Sequence, residues 1–327
     1  MRKIAAFFNN EFARLLTITV GIFVLMTALR PSTFLTSRNL ISMSFQMPEM
    51  GMLSLAITLA FITGGMDLSL VGISNLSGIC AGLVMSSMLA NAANETQVVL
   101  LIVLAVVVAA VVGVICGAFN GMLISALRVT PILATLGTMQ LYTGIALIIT
   151  KGSAVVGLPD QFSVIGQGSL GFFPIPMLIF LVSAVLVQFM LNKTKTGIES
   201  RLIGTNEKAA RYSGISVAKT KLISYMTGGL LAAVGGLIMM SRVNSAKADF
   251  GSSYTMQTIL IAVLGGVSPS GGKGKVVGVV LAVCTLQFLS SGFNMLRMSQ
   301  YAKELVWGIL LILLVAMLVF GERKEST

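Results

Sequence analysis

Apolar runs long enough to cross a hydrocarbon layer follow one another along nearly the whole chain, separated by short polar breaks. A helix needs about 20 apolar residues for one crossing. Ten segments approach or reach that length: 13–29, 40–63, 68–90, 98–127, 131–150, 174–191, 222–240, 253–267, 276–293 and 302–320. They predict an all-α polytopic membrane protein, a single transmembrane domain over 1–327 with no soluble domain. Two places break the pattern. Thr63-Gly-Gly-Met-Asp-Leu-Ser-Leu-Val-Gly72 interrupts its run with three glycines and an aspartate, and 253–267 is short for a span. Both are expected to be broken or re-entrant helices, which a membrane tolerates only where protein or a water-filled cavity covers the irregular backbone. The loop 151–173 carries Gly152, Gly157, Pro159, Gly166, Gly168 and Gly171 and is expected to be nonhelical. Glycines at every fourth position, Gly113, Gly117 and Gly121 with Gly78 and Gly82, predict close helix approach, within one subunit rather than at a dimer seam.

The longest interruption, within a polar region 192–221, is basic: Lys193, Lys195, Arg201, Lys208, Arg211, Lys219 and Lys221 stand against Glu199 and Glu207. In its middle, 206–217 predicts one short helix, because Ala209 and Ala210 favour helix and Gly214 ends it. If the N-terminus is cytoplasmic and all ten segments cross, one side receives 15 basic residues: Arg2, Lys3, Arg14, Arg128, those seven, Lys273, Lys275, Arg323 and Lys324. The other receives seven: Arg30, Arg38, Lys151, Arg242, Lys247, Arg297 and Lys303. That bias predicts that both termini and the basic region are cytoplasmic, and a polar helix there implies a soluble partner. Residues 1–12 are polar and weakly amphipathic with no small-residue cleavage signature following, so no removable signal peptide is expected.

Composition narrows the chemistry. With 56% hydrophobic and 10% charged residues the chain is too apolar for a soluble globule. Its formal charge of +11 belongs to residues that flank the spans, which argues for membrane orientation and against nucleic acid. Cys80, Cys116 and Cys284 each sit in an apolar run and read as small buried hydrophobes. There is no histidine, and the acidic residues form no pair at useful spacing. Zinc chemistry, histidine-activated nucleophiles and paired-carboxylate hydrolysis are therefore disfavoured, and no catalytic residue, metal or cofactor is expected. Gly265-Gly-Val-Ser-Pro-Ser-Gly-Gly-Lys-Gly-Lys275 fails as a phosphate loop, since Gly272 intrudes before Lys273 and Gly274 stands where a hydroxyl residue is required. It reads as a glycine-rich turn between helices, leaving the energy source to another chain or an ion gradient.

Four blocks then resemble one family. Thr63-Gly-Gly-Met-Asp-Leu-Ser69, Leu133-Ala-Thr-Leu-Gly-Thr-Met139, Asn206-Glu-Lys-Ala-Ala-Arg-Tyr-Ser-Gly-Ile-Ser-Val217 and Val263-Leu-Gly-Gly-Val-Ser-Pro-Ser-Gly-Gly-Lys-Gly274 occur in order. They are similar to blocks of the membrane-spanning permeases of ABC importers for ribose and related monosaccharides, a group that includes an autoinducer-2 importer. One departure stands out: the family commonly has Glu-Leu-Asp-Ala-Ile-Ala where this chain has Thr255-Met-Gln-Thr-Ile-Leu260. The autoinducer-2 branch also departs there, and Ser245-Ala-Lys-Ala-Asp-Phe-Gly251 is similar to its sequence.

The resemblance implies a permease subunit in a bacterial inner membrane, paired with a second permease as a homo- or heterodimer. It implies two ABC ATPase subunits or one fused ATPase that binds the ATP, and a periplasmic or lipid-anchored substrate-binding protein that delivers a monosaccharide or sugar-like solute. The coupling residues it implies are Glu207, Ala209, Ala210, Arg211 and Gly214, with the alanines giving close approach, Gly214 the exit turn, and Glu207 with Arg211 spaced to pair along the helix. Asp67 is read as a helix cap ahead of Leu68 in preference to a sugar contact. Gln46, Asn75, Asn120, Gln140 and Asn294 offer amides either to a sugar path or to neighbouring helices. Glu49 is expected near a cavity or against a cation. The rival reading, an ion-coupled secondary transporter, would need intramembrane carboxylates as ion carriers, and only Asp67 and Glu49 offer themselves.

Overall fold

The computed structural model describes residues 11–325, which carry fourteen α-helices and one two-stranded hairpin. The remaining residues, and with them most of the expected polar start at 1–12, lie outside the described residues. The helices are α1 (Glu11–Leu29), α2 (Pro31–Phe34), α3 (Ser37–Ile62), α4 (Leu70–Met88), α5 (Glu95–Ser125), α6 (Pro131–Thr150), α7 (Val164–Gln167), α8 (Ile175–Lys193), α9 (Lys195–Thr205), α10 (Glu207–Tyr212), α11 (Val217–Val243), α12 (Tyr254–Leu264), α13 (Val276–Met295) and α14 (Gln300–Glu325). Among the described residues, eight of these are long and apolar enough to cross a membrane: α1, α3, α4, α5, α6, α8, α11 and α13. Helices recur because, without water, only intrahelical bonds satisfy the backbone of a spanning segment. α14 covers the tenth expected segment.

α3 and α11 form the centre and are largely enclosed, whereas α1, α5, α6 and α8 keep most of their surface open. α11 packs against α3, α4 and α5. The glycine spacing makes this possible: a side chain at Gly113, Gly117 or Gly121 would collide with α11 at Gly229, Tyr225 or Leu222, and one at Gly236 with Ser74 of α4. The periodic glycines thus serve contacts inside this chain. α1 is held to α13 by Thr19 and Thr285, whose hydroxyls lie 2.7 Å apart, and by Phe23 wedged edge-on between Phe34 and Phe288.

The helix ends sort into two groups. At one end Gly272 N–H donates to Ile62 O at 3.1 Å and Arg201 Nη2 to Gly274 O at 3.0 Å, joining the C-terminus of α3, α9 and the turn 265–275. At the opposite end Val155 bridges Ala246 in antiparallel fashion and Ser241 Oγ accepts from Gly166 N–H. Between these ends α12 is a half-length crossing. Its 11 residues rise only about 16 Å, against a hydrocarbon core of about 30 Å. The rest of that crossing is irregular chain, 244–253, in which Ala246 and Ala248 are buried. The stretch 253–267, expected to be broken or re-entrant, itself holds one continuous short helix, and the irregular chain precedes it.

The other break, 63–69, is a non-helical joint between α3 and α4. Three details differ from expectation. The polar region holds two helices, α9 as well as α10, because Thr194 caps α9 by accepting from Gly197 N–H at 3.2 Å. The loop 151–173 is partly ordered, with a 3₁₀ turn at Asp160–Ser163, α7, and the hairpin of β1 (Ser169–Leu170) and β2 (Phe173–Pro174). α11 extends beyond 222–240 at both ends, which carries Arg242 into its last turn.

Candidate coupling site and buried polar clusters

α10 is only six residues long, too short to persist alone. Both of its ends are closed. Asn206 Oδ1 accepts from Ala209 N–H at 3.0 Å. At the other end Ile215 N–H donates to Ala210 O and Gly214 N–H to Arg211 O, each at 3.1 Å, with Gly214 at φ +79°. That is a Schellman closure, and its apolar contact is present, since Ile215 packs on a small core of Ile203, Ala210 and Val217. Glu207 adds an electrostatic fork, 3.0 Å from Arg211 on its own helix and 2.7 Å from Lys221 on α11. The Lys221 hydrogen bond, foremost, holds the Glu207 carboxyl below the ordinary glutamate range.

The expected coupling residues therefore divide. Ala209, Arg211 and Gly214 are exposed, and neighbouring Tyr212 is 92% exposed. Ala210 is 4% exposed and turned into the small core, so it mounts the helix and is not open to a partner. Lys221 was invisible to local spacing, lying 14 residues from Glu207.

The glycine-rich turn forms the base of this mount. The N–H groups of Gly266, Val267, Ser268, Gly271, Gly272 and Lys273 all bond carbonyls of the protein itself, leaving none of these to cradle a phosphate. A side chain at Gly204 would collide with Ile62 O and Gly272 N, and one at Gly271 with Gly204, so here the backbones of α9, α3 and the turn meet directly.

Two buried carboxylates lie deeper. Asp67 Oδ1 accepts from Ser69 N–H at 3.0 Å and Ser69 Oγ at 2.7 Å. Asn120 Nδ2 lies 2.7 Å from Ser69 Oγ and 3.4 Å from Asp67 Oδ2, and Tyr142 Oη is 3.1 Å from Asn120 Oδ1. The expected helix cap is corrected: Asp67 binds the amide of Ser69, the residue before α4, and ties the joint to α5 and α6. Glu49 is 1% exposed and takes both Arg242 Nε and Nη2 together with Tyr254 Oη, the last at 3.1 Å. Its unknown cation is thus Arg242, and the cluster binds α3 to the end of α11 and the start of α12.

Of the five candidate amides, Asn120 is sealed in the Asp67 cluster with no exposed surface. Asn75 donates to Ala248 O and Phe250 O, both at 2.9 Å, and so satisfies the irregular half of the broken crossing. Gln140 is exposed on α6, and Asn294 is exposed beside Lys303. Gln46 is half-buried and accepts from Gln287 Nε2 at 3.3 Å, one turn from the bond between Ser291 Oγ and Asn39 Oδ1. The structure does not gather the five into one pocket. Arg242, Tyr142 and Tyr254 escaped sequence reasoning; the available signal was Asn244 itself, a residue type that ends helices in the left-handed region, as it does here at φ +51°.

A bundle of helices long enough to span a membrane, with a capped polar helix at one end, is the arrangement of a polytopic membrane protein. Residues 39–315 match the family described as the branched-chain amino acid transport system / permease component, and the chain belongs to that family. It is 35% identical over 312 residues to the ribose import permease protein RbsC of Bacillus subtilis, covering 94% of this chain and 92% of that protein. It is 33% identical over 295 residues to the L-arabinose transport system permease protein AraH of Escherichia coli, covering 90% and 85%. It is 30% identical over 309 residues to the autoinducer 2 import system permease protein LsrD of Yersinia enterocolitica, covering 93% and 89%.

Proposed function

We propose that this chain is the membrane-spanning permease subunit of an ATP-driven importer, carrying a monosaccharide or related sugar-like solute handed over by an external binding protein. The observation that carries this reading is α10: a six-residue helix closed at both ends, pinned by Glu207 to Lys221, and presenting Ala209, Arg211 and Tyr212 outward. A helix so short and so firmly mounted suits transmission of a push from a separate ATPase, with Gly204 against Gly271 and Ile62 as the stiff base. The basic bias of 15 against seven residues favours a cytoplasmic position for this end and for both termini, in a bacterial inner membrane. A second permease completes the pathway between two such chains.

The family description names branched-chain amino acids, but the relatives covering most of this chain are named for ribose, L-arabinose and autoinducer 2, which favours a sugar. Of the candidate amides, Gln46 is best suited to sugar hydroxyls, being half-buried on the seam of α3 and α13, where it accepts from the buried Gln287. Ion coupling is the poorer account, since Glu49 is fixed by Arg242 and Asp67 by Ser69 and Asn120.

Cysteine labelling at exposed Ser213 tests the central point. In everted vesicles a Ser213→Cys chain is expected to react with an impermeant thiol reagent, and co-expressed ATPase is expected to suppress the reaction. Reaction only in right-side-out vesicles would overturn the orientation, and reaction unchanged by the assembled ATPase would overturn the docking.

A further inference from the structure

Where α1 passes α12, α13 and α14, at the end that carries α10, a cavity of about 370 Å³ opens. Its walls are apolar, formed in part by Ile18, Leu264, Val277 and Leu314, while Arg14 and Lys275 stand at its polar edge. Both cations are exposed and neither forms an ion pair or hydrogen bond with a described side chain. Lys275 also occupies the N-cap position of α13, a 20-residue helix whose first turn has no side-chain cap, so the partial positive charge of the helix start adds to the two full charges. Arg14 lies in the first turns of α1 and Lys275 immediately before α13, at the same end of two helices long enough to span a membrane. Ile18 lies one turn further in from Arg14.

We propose that this cavity is a binding site for an anionic phospholipid, with the phosphodiester between Arg14 and Lys275 and an acyl chain along Ile18, Val277 and Leu314. Cations at headgroup depth above an apolar slot between spanning helices have the chemistry of an anionic lipid seat. Charge decides against the other occupants. A second copy docking symmetrically would set Arg14 and Lys275 against a like-charged surface, and the chain's own residues 1–10 bring Arg2 and Lys3 to a basic site. Soluble phosphate alone would leave the apolar walls unfilled. A lipid seated here would brace α1 against α12, the half-length crossing.

The test uses the full chain purified in mild neutral detergent, with native mass spectrometry or spin-labelled lipid reading occupancy by phosphatidylglycerol and phosphatidylcholine. Phosphatidylglycerol is expected to bind preferentially. Each neutralised cation is expected to weaken it about fivefold, and Arg14→Gln with Lys275→Gln together about 30-fold, on the scale of about 1 kcal/mol per basic residue at an anionic surface. The conservative pair Arg14→Lys and Lys275→Arg is expected to restore binding. Ile18→Trp, which narrows the slot and leaves both charges, is expected to expel the lipid while the chain remains monodisperse. Equal binding of the two lipids, retention by the double Gln variant, or displacement by soluble glycerophosphoglycerol as readily as by intact lipid would each overturn the proposal. So would an efficient Ile18→Cys cross-link between two copies.

Discussion

Glu49 and Glu207 are built alike and differ in where they sit. Each carboxylate is forked between two donors, Glu49 between Arg242 and Tyr254, Glu207 between Arg211 and Lys221. The Glu49 side chain is 1% exposed and that of Glu207 is 42% exposed. In the exposed case water and salt screen the attraction, and such bridges contribute about 0–1 kcal/mol. In the buried case the attraction is stronger, but both charges have been removed from water, so the pair is worth far more to its partners than to the fold as a whole. Burial, not the count of bonds, sets the consequence of losing an acid. Glu49 therefore holds the start of the broken crossing as a mutual dependence, whereas Glu207 trims the orientation of a helix already held by its caps.

The largest expected effect follows from removing one half of the buried pair. Glu49→Gln leaves Arg242 unpaired in a largely apolar setting and is expected to cost about 3 kcal/mol, the lower end for a broken buried pair because Arg242 is partly open. Thermal melting of the detergent-solubilised chain measures it. Glu49→Gln combined with Arg242→Gln is expected to recover most of the loss. If the double variant melts as low as the single one, the pair is not what couples α3 to α11.

Asp67 sharpens the contrast from a third position, being buried like Glu49 but held by neutral donors only. Asp67→Asn keeps an oxygen for the Ser69 amide and hydroxyl but turns an NH₂ group toward Asn120 Nδ2, an expected cost of about 2 kcal/mol. Exchanging the two, Asp67→Asn with Asn120→Asp, restores one donor facing one acceptor. A double-mutant cycle should then show positive coupling, and strict additivity would dissolve the cluster as a unit.

At the exposed end, Gly214 separates backbone from bridge. No atom lies within 4 Å of a side chain placed there, so strain arises from φ +79° alone. Gly214→Val is expected to cost about 1–2 kcal/mol, concentrated in α10, and to abolish uptake and ATPase assembly with membrane insertion intact. Gly214→Asn, which tolerates the left-handed region, is expected to retain most activity. Uptake comparison at matched expression decides, and normal transport by the Val variant would detach α10 from coupling.

What sequence could show follows from range. Spans were legible because their signal is continuous apolar length, and α10 was legible because its caps, Asn206 and Gly214, are local. α9 was missed because its few apolar residues, Ile198, Leu202 and Ile203, stand among charged ones and Gly197 and Gly204 weaken the local helix signal. The buried partners were missed because Glu49 and Arg242 stand 193 residues apart. The five amides were equivalent as letters; packing made Asn75 the support of a broken segment and left Gln140 on an open face.

The smallest expected effect tests the exposed fork itself. Glu207→Gln should lower the stability of the α10 mount by about 0.5 kcal/mol at neutral pH and low salt, and by less at high salt, because the carboxylate and Arg211 are open to solvent even though Lys221 is largely covered. The sign with pH is fixed by the carboxyl lying below its ordinary value of 4.5, with the Lys221 hydrogen bond as the main cause. A carboxylate bound more tightly as the anion in the folded state contributes its full stabilisation above that ordinary value, and loses it as pH falls through the lower folded value. Amide exchange at Ala210 and Arg211 should therefore be slower in the unsubstituted chain than in the Gln variant at pH 7, after correction for intrinsic rates. The gap should close only below about pH 4.5. A gap that is constant down to strongly acid pH would show that shape rather than charge at position 207 steadies the helix, and the contrast with Glu49 would then lose its electrostatic basis.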